Sequence, residues 1–239
     1  MKPIASTPSR AEQVYFSIRD SICDGTLAPG THLVQEDVAA RLGVSRQPVQ
    51  QAMALLRNDG MVLEQGARGL YVAPLDAEQT VRRYQIRLSL DQLAIRLTAQ
   101  RAAASPDFAA QLRRGGENIL REGDAAAMSN AYRDAVAHDV AFHSYIYEMS
   151  GNPLIAPTAE PHWLYLRRVM IAVLSYAERA GVVWSQHHEI LEAAVQGRVD
   201  DAVDLVTVHI QGAEAAFLRC LPFTAPESPP APPALRSAG

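Results

Sequence analysis

The sequence predicts a mainly α-helical protein of two units, a small helix-and-hairpin unit followed by an all-α bundle. Three observations carry this. Apolar residues recur at helical spacing on three segments between Ala11 and Gly60. Two β-rich runs, MVLEQ and LYVAP, flank a tight turn at Gly66–Gly69. From Glu78 to Leu221 there is almost no strand signal, and the apolar pattern stays helical.

The first unit spans 10–75. Val14, Ile18 and Ile22 recur every four residues on a helix over about Ala11 to Asp24, and Gly25 stops it. LAPGTHL carries a Pro-Gly turn signal and reads as a loop. A short helix follows with Val38, Ala39 and Leu42 facing inward, closed by Gly43. Ser45 suits the N-cap of the next helix. Pro48 falls in that helix's first turn, where its missing N–H costs nothing. Val49, Ala52, Met53 and Leu56 form its inner stripe, and Gly60 ends it. Helix, helix-turn-helix, hairpin is the order of a winged helix-turn-helix. The stretch SRQPVQQAM, Ser45 to Met53, then takes the place of a recognition helix.

Charge limits how such a helix could work. The net charge is -4, which excludes a generic polyanion binder. The arginines of the first unit are offset by its Asp and Glu residues, so DNA binding must come from local placement, doubled by dimerisation. Arg46 can read guanine O6/N7, and Gln47 or Gln50 can read adenine N6/N7. Ser45 and the helix N-terminus can hold phosphate, and Arg68 on the wing can reach phosphate or the minor groove.

Residues 1–9 are small and polar, and the Pro-rich stretch 222–239 cannot build a core, so both are expected to be disordered. No apolar run approaches the roughly 20 residues of a membrane span. MKPIASTPSRAEQ lacks the apolar core of a signal peptide, so a cytoplasmic protein is expected. Cys23 and Cys220 form no CxxC pair and fit reduced thiols.

The second unit, 78–221, divides into six helices at roughly 77–104, 107–121, 124–149, 154–178, 183–196 and 198–219, with breaks at Ser105-Pro106, Gly123, Gly151-Asn152-Pro153, Gly181 and Gly197. Three stripes carry residues foreign to an apolar core. The third helix presents Val136, Asp139/Val140, His143 and Ile146/Tyr147; the fifth, Val183/Trp184, His187 and Ile190/Leu191; the sixth, Val206, His209/Ile210 and Ala213. Asp139 and His143, four apart, share one face. Buried carboxylates and imidazoles need partners, and a divalent metal satisfies all four residues at once. Three imidazoles and a carboxylate suit Zn, Ni, Mn or Fe better than Ca. The same residues could instead form a metal-free polar core network. Arg87, in YQIRLSLDQL, is either a solvated charge or a bidentate clamp for a carboxylate. His138 and His188 fall off the stripes and are expected to be exposed.

The residues also resemble a known family. IRDSICDGTLAPGTHLVQEDVAARLGVSRQPVQQAMALLRNDGMVLEQGARGLYVAP is similar throughout to the N-terminal domain of GntR-family transcription regulators. DVAFHSYIYEMSGNP and HHEILEAAVQGRVDDAVDLVTVHI resemble the FCD effector domain of that family's FadR branch. Six bundle helices look like the VanR-type subgroup rather than the fatty-acyl-CoA binder. The resemblance places the family's metal ligands on Asp139, His143, His187 and His209. It implies a small carboxylate effector such as a sugar acid, hydroxy acid or dicarboxylate, with Arg87 near the pocket. It carries DNA contacts to Ser45, Arg46, Gln47 and the wing at Gly66–Arg68. Gln50 stands where the family commonly has an arginine, which alters the expected operator preference. Glu36 is a weaker contact, better read as a helix N-terminal charge.

The function expected is a metabolite-responsive regulator: a homodimeric repressor on a pseudo-palindromic DNA operator, sensing a small carboxylate at a divalent metal. The competing reading is a metal-dependent hydrolase or lyase using the same Asp/His set. It lacks a general acid or base, since no unassigned Glu or Asp falls on the inward stripes.

Overall fold

The structure is a computed structural model that describes residues 8–65, 69–176 and 180–224. Helix α1 (Arg10–Cys23) starts with a reciprocal cap in which Ser9 and Glu12 each accept from the other's backbone N–H. Helices α2 (Gln35–Leu42) and α3 (Arg46–Asn58) follow. Val14, Ile18, Ile22, Ala39, Val49, Ala52, Met53 and Leu56 are all buried in one core, as their periodicity predicts. Leu42 departs from expectation and stands exposed at the end of α2. Ser45 occupies the N-cap position of α3, yet its side chain makes no capping bond.

Strands β2 (Val62–Glu64) and β3 (Leu70–Val72) form the expected hairpin. The sheet has a third member within the expected loop: β1 (His32–Leu33), antiparallel to β3 with His32 opposite Tyr71. The two rings stack with centroids 4.6 Å apart. A strand of two residues is too short to show alternation, so the pairing partner is what makes it a strand. The wing turn at Gly66–Arg68 lies outside the described residues.

The bundle comprises α4 (Ala77–Ala104), α5 (Pro106–Met128), α6 (Tyr132–Met149), α7 (Ile155–Tyr176), α8 (Ala180–Val195) and α9 (Val199–Thr224). Asp76 and Ser105 cap α4 and α5 by accepting from Gln79 and Phe108 N–H. Two breaks move. Gly181 lies inside α8 rather than before it. Gly123 lies inside α5, and the chain turns instead at 129–131. There Asn130 adopts φ 56, Asn130 N–H bonds to Ala127 O, and Ala131 N–H to Ala126 O. That is a Schellman closure with asparagine in the left-handed position.

The glycines of α5 are sites of close approach. A Cβ on Gly115 would overlap Tyr145, on Gly116 it would overlap Leu191, and on Gly123 it would overlap the indole of Trp184. Helix propensity favours Ala over Gly by about 1 kcal/mol in a helix interior. Packing reverses the sign, because Trp184 is buried and cannot swing away. Gly123→Ala is therefore expected to destabilise the protein by about 1–3 kcal/mol, read as a lower urea midpoint. A midpoint that rises would show that the indole is free to move.

Helix α7 joins the two units. Leu164 packs against the first unit's core, and its carbonyl accepts from Cys23 Sγ at 3.2 Å. The buried Arg168 guanidinium donates to Ala73 O in the connecting segment. The Tyr165 hydroxyl accepts from Asp76 N–H at 2.8 Å. The same helix presents Trp163, Met170 and Val173 to the bundle.

Candidate functional site

Helix α6 sets Asp139 and His143 one turn apart, α8 supplies His187 and α9 supplies His209. All four are buried, and one ligand-capable atom from each lies within 4.8 Å of the others. His143 Nδ1 is 2.5 Å from Asp91 Oδ1, which turns its Nε2 toward the cluster. His209 Nδ1 is 3.1 Å from Gln186 Oε1, so its Nε2 faces inward too. His187 Nε2 lies 3.2 Å from His209 Nε2 and 3.3 Å from Asp139 Oδ1. Phe142 and Trp184 rings lie 4.6 and 4.9 Å from the His187 ring and keep water out.

Electrostatics prepares these groups as ligands. Burial pushes His187 below the ordinary imidazole range, against the opposing hydrogen bond to Asp139. Burial and the neighbouring imidazoles push His209 well below it. Neutral imidazole is the form that binds metal. Burial alone would raise Asp139, but the His187 hydrogen bond and nearby positive charge, Arg87 included, override it and hold the carboxyl well below the usual range.

The residues present fit a metal. Asp139 Oδ2 and His143 Nε2 are buried without a hydrogen-bond partner, a costly state for a polar core network. A cation gives both a partner. The donor set, three imidazole nitrogens and a carboxylate oxygen, suits a first-row transition ion.

Asp91 is the residue that sequence reasoning missed. An unassigned carboxylate does stand beside the cluster, 1 % exposed, contrary to expectation. Its signal was present in the spacing: Tyr84, Arg87, Asp91, Ala94 and Thr98 are one buried stripe of α4. Asp91 is committed to its neighbours. It accepts from the Tyr147 hydroxyl at 2.9 Å, and its Oδ2 is 3.6 Å from Arg87 Nε. Burial would raise its pKa, but His143 and then Arg87 and Tyr147 hold it low. It is placed to orient His143 rather than to move protons. Asp91→Asn, which keeps the shape but drops the charge, is expected to weaken metal affinity by roughly 10–100-fold in chelator competition. Unchanged affinity would remove this role.

Arg87 is no solvated charge, being 3 % exposed with its guanidinium 4.1 Å over the Trp163 ring. A terminal nitrogen is 3.9 Å from Asp139 Oδ2, too far for a hydrogen bond. Nε and Nη2 have no hydrogen-bond partner. Arg87, Asp139 and His209 border one cavity of about 50 Å³. Guanidinium donors without hydrogen bonds beside a void can receive a small oxyanion.

At the other end, Ser45, Arg46, Gln47 and Gln50 are all exposed at the N-terminal part of α3, opposite its buried stripe. Arg46 pairs with Glu36 at 2.6 Å, so Glu36 is a neighbour of the reading face. Gly66 and Arg68 lie outside the described residues. His188 is exposed as expected, paired with Asp124 at 2.8 Å, whereas His138 is half-buried.

Residues 82–212 match the FCD domain, and residues 10–72 match the bacterial regulatory proteins of the gntR family. The chain belongs to the GntR family. Among relatives of this GntR regulator is the HTH-type transcriptional repressor RspR of Escherichia coli strain K12, 29% identical over 84% of this chain and 85% of that one. An HTH-type transcriptional regulator in an unstable DNA locus of Streptomyces ambofaciens is 26% identical over 87% of this chain and 86% of that one. Among solved structures, a transcriptional regulator GntR from Rhodococcus sp. RHA1 superposes with a TM-score of 0.76 at 27% identity, covering 89% of this chain and 99% of that one. E. coli McbR/YncC, with a TM-score of 0.72 at 20% identity over 89% of this chain and 99% of that one, shares the fold. The winged helix-turn-helix and FCD bundle are thus those of a GntR transcriptional regulator, and the hydrolase or lyase reading falls. No helix among the described residues is long and apolar enough to cross a membrane.

Proposed function

We propose that this GntR regulator is a cytoplasmic, homodimeric repressor that senses a small carboxylate at a divalent metal centre. Unit 10–75 reads a pseudo-palindromic operator, and unit 78–221 binds the effector and dimerises. Asp139, His143, His187 and His209 hold the ion, with Zn, Ni, Mn or Fe fitting the donors. The ion supplies positive charge and open coordination positions for oxygen. Arg87 grips the carboxylate through the nitrogens that make no hydrogen bond to the protein. Ser45, Arg46, Gln47 and Gln50, with Gly66 and Arg68 of the wing, contact DNA.

One observation carries the reading: Asp139 and His143 of a buried Asp/His set each have an atom without a hydrogen bond, and Asp139 borders the same cavity as Arg87, two of whose nitrogens make none either. A metal-free polar core would leave those atoms unsatisfied. Dimerisation has support in Ile86 and Leu93, two turns apart on α4, and Val208 on α9, all exposed apolar side chains. Two copies place two α3 helices about 34 Å apart in successive major grooves. The repressor assignment leans on RspR, which is named as one.

Helix α7 supports coupling between the sites. Its Met170 and Val173 line the cavity, its Trp163 underlies Arg87, and its Leu164 and Arg168 hold the first unit. A carboxylate that favours one placement of α7 shifts the pair of α3 helices, provided it binds the two states unequally. The test is operator binding by metal-loaded protein during titration with small carboxylates, read by fluorescence anisotropy. A change of about 5–150-fold in operator affinity is expected with the right acid. An acid that binds yet leaves operator affinity unmoved would contradict coupling.

A further inference from the structure

A second cavity lies where the two units meet. Tyr15 of α1 and Asp59 at the end of α3 border it from the first unit. Arg83 of α4, with Glu160, Tyr165 and Arg168 of α7, borders it from the bundle. It measures about 340 Å³, against about 50 Å³ for the cavity beside the Asp/His set, and the two share no lining residue.

Arg168 is a buried cation without a counter-ion. It is 5 % exposed, donates to Ala73 O, and forms no ion pair among the described residues. Burial pushes its pKa below the ordinary guanidinium value, and only the Tyr165 phenol and the Cys23 thiol oppose that. Arg87, also buried, has Asp91 and Asp139 to hold it up. Guanidinium keeps its proton in proteins, so Arg168 is a desolvated positive charge that lacks an anion.

Arg83 brings a second cation to the same wall. Its guanidinium carbon is 4.6 Å from the Tyr165 ring centroid, and that of Arg168 is 5.7 Å from the same centroid. Arg83 Nη1 donates to Pro161 O at 3.3 Å, while its Nε is buried without a hydrogen bond. Arg83 too forms no ion pair among the described residues. The two acids on the cavity, Asp59 and Glu160, are exposed, and Asp59 accepts from the Tyr15 hydroxyl at 2.6 Å.

We infer that this junction cavity binds a small phosphate-bearing molecule through Arg83 and Arg168. Guanidinium matches phosphate oxygens with paired N–H groups. A phosphate monoester carries roughly -1.5 to -2 near neutral pH, enough for both arginines, whereas one carboxylate neutralises one. A water needs about 10–15 Å³ on the same volume measure, so the cavity has room for the phosphate and a small organic body. Both units supply the wall, so the ligand favours their present placement and biases the α3 helices. This input is separate from the metal and from carboxylate sensing.

The test is calorimetric titration of the full-length protein with inorganic phosphate, repeated after chelation and beside acetate. Phosphate is expected to bind with or without chelator, and more tightly than acetate. Arg83→Gln and Arg168→Lys are each expected to weaken it about 10–100-fold. Arg46→Ala is expected to bind phosphate as the unaltered chain does. Binding lost on chelation would place the ion at the Asp/His set, and binding lost in Arg46→Ala would place it on α3; either overturns the inference. So does unchanged affinity in both junction variants, acetate bound as tightly as phosphate, or no binding; each leaves carboxylate sensing in place. At equal ionic strength, saturating phosphate is expected to change operator affinity about fivefold or more, but not in Arg83→Gln. The same response in both proteins overturns the regulatory role.

Discussion

In His187→Ala, chelator no longer changes the melting temperature, whereas chelation of the unaltered protein lowers it by about 5–10 °C. The size follows from linkage. Metal present at 100 times its dissociation constant stabilises by about 2.7 kcal/mol. A protein of this length moves by about 2–4 °C per kcal/mol. His187 is the strongest single choice because its Nε2 meets both Asp139 and His209, at 3.3 and 3.2 Å. Its ring is fully buried and packs on Phe142 and Trp184, so alanine also costs packing energy. That loss is the same with or without chelator, which is why the difference between the two melts is the readout. A metal-free polar core predicts no chelation shift in either protein. A shift of the unaltered size in His187→Ala would place the metal elsewhere.

Arg46→Ala weakens operator binding at least about 30-fold while leaving the melting temperature nearly unchanged. A bidentate arginine–guanine contact is worth about 1–3 kcal/mol, and a homodimer makes it twice. The effect therefore spans about 2–6 kcal/mol. Removing Arg46 also leaves Glu36 without its partner, an unpaired negative charge beside the DNA. The cost to the fold is small, since an exposed ion pair contributes at most about 1 kcal/mol. Gel shift and thermal melting on the same preparation separate the two readouts. Wild-type affinity in Arg46→Ala would mean that α3 reads through its glutamines alone.

Much of this was legible because helical burial writes a period into the sequence. Val14, Ile18 and Ile22 share one face, and all are buried. The Asp139/His143, His187 and His209 stripes converge in the structure because each polar residue occupies a slot its helix would otherwise fill with an apolar one. What stayed illegible depends on partners far away in the chain. Gly123 looks like a helix stop until Trp184 is seen packed against it. Helix α5 ends instead at Met128, closed by a left-handed Asn130, a position where glycine is the commoner signal. β1 exists only through its pairing to β3. Asp91 shared a stripe with Arg87, but a carboxylate on a long mixed helix reads as solvated until His143 is placed 2.5 Å away. Leu42 fitted its stripe and is exposed, since α2 ends there.

The most direct measurement is elemental analysis of the full-length protein purified without a histidine tag. The proposed metal centre predicts one first-row transition metal ion per chain, lost on chelation together with part of the thermal stability. Trace metal, with melting unchanged by chelator, would contradict the metal centre and the sensing built on it.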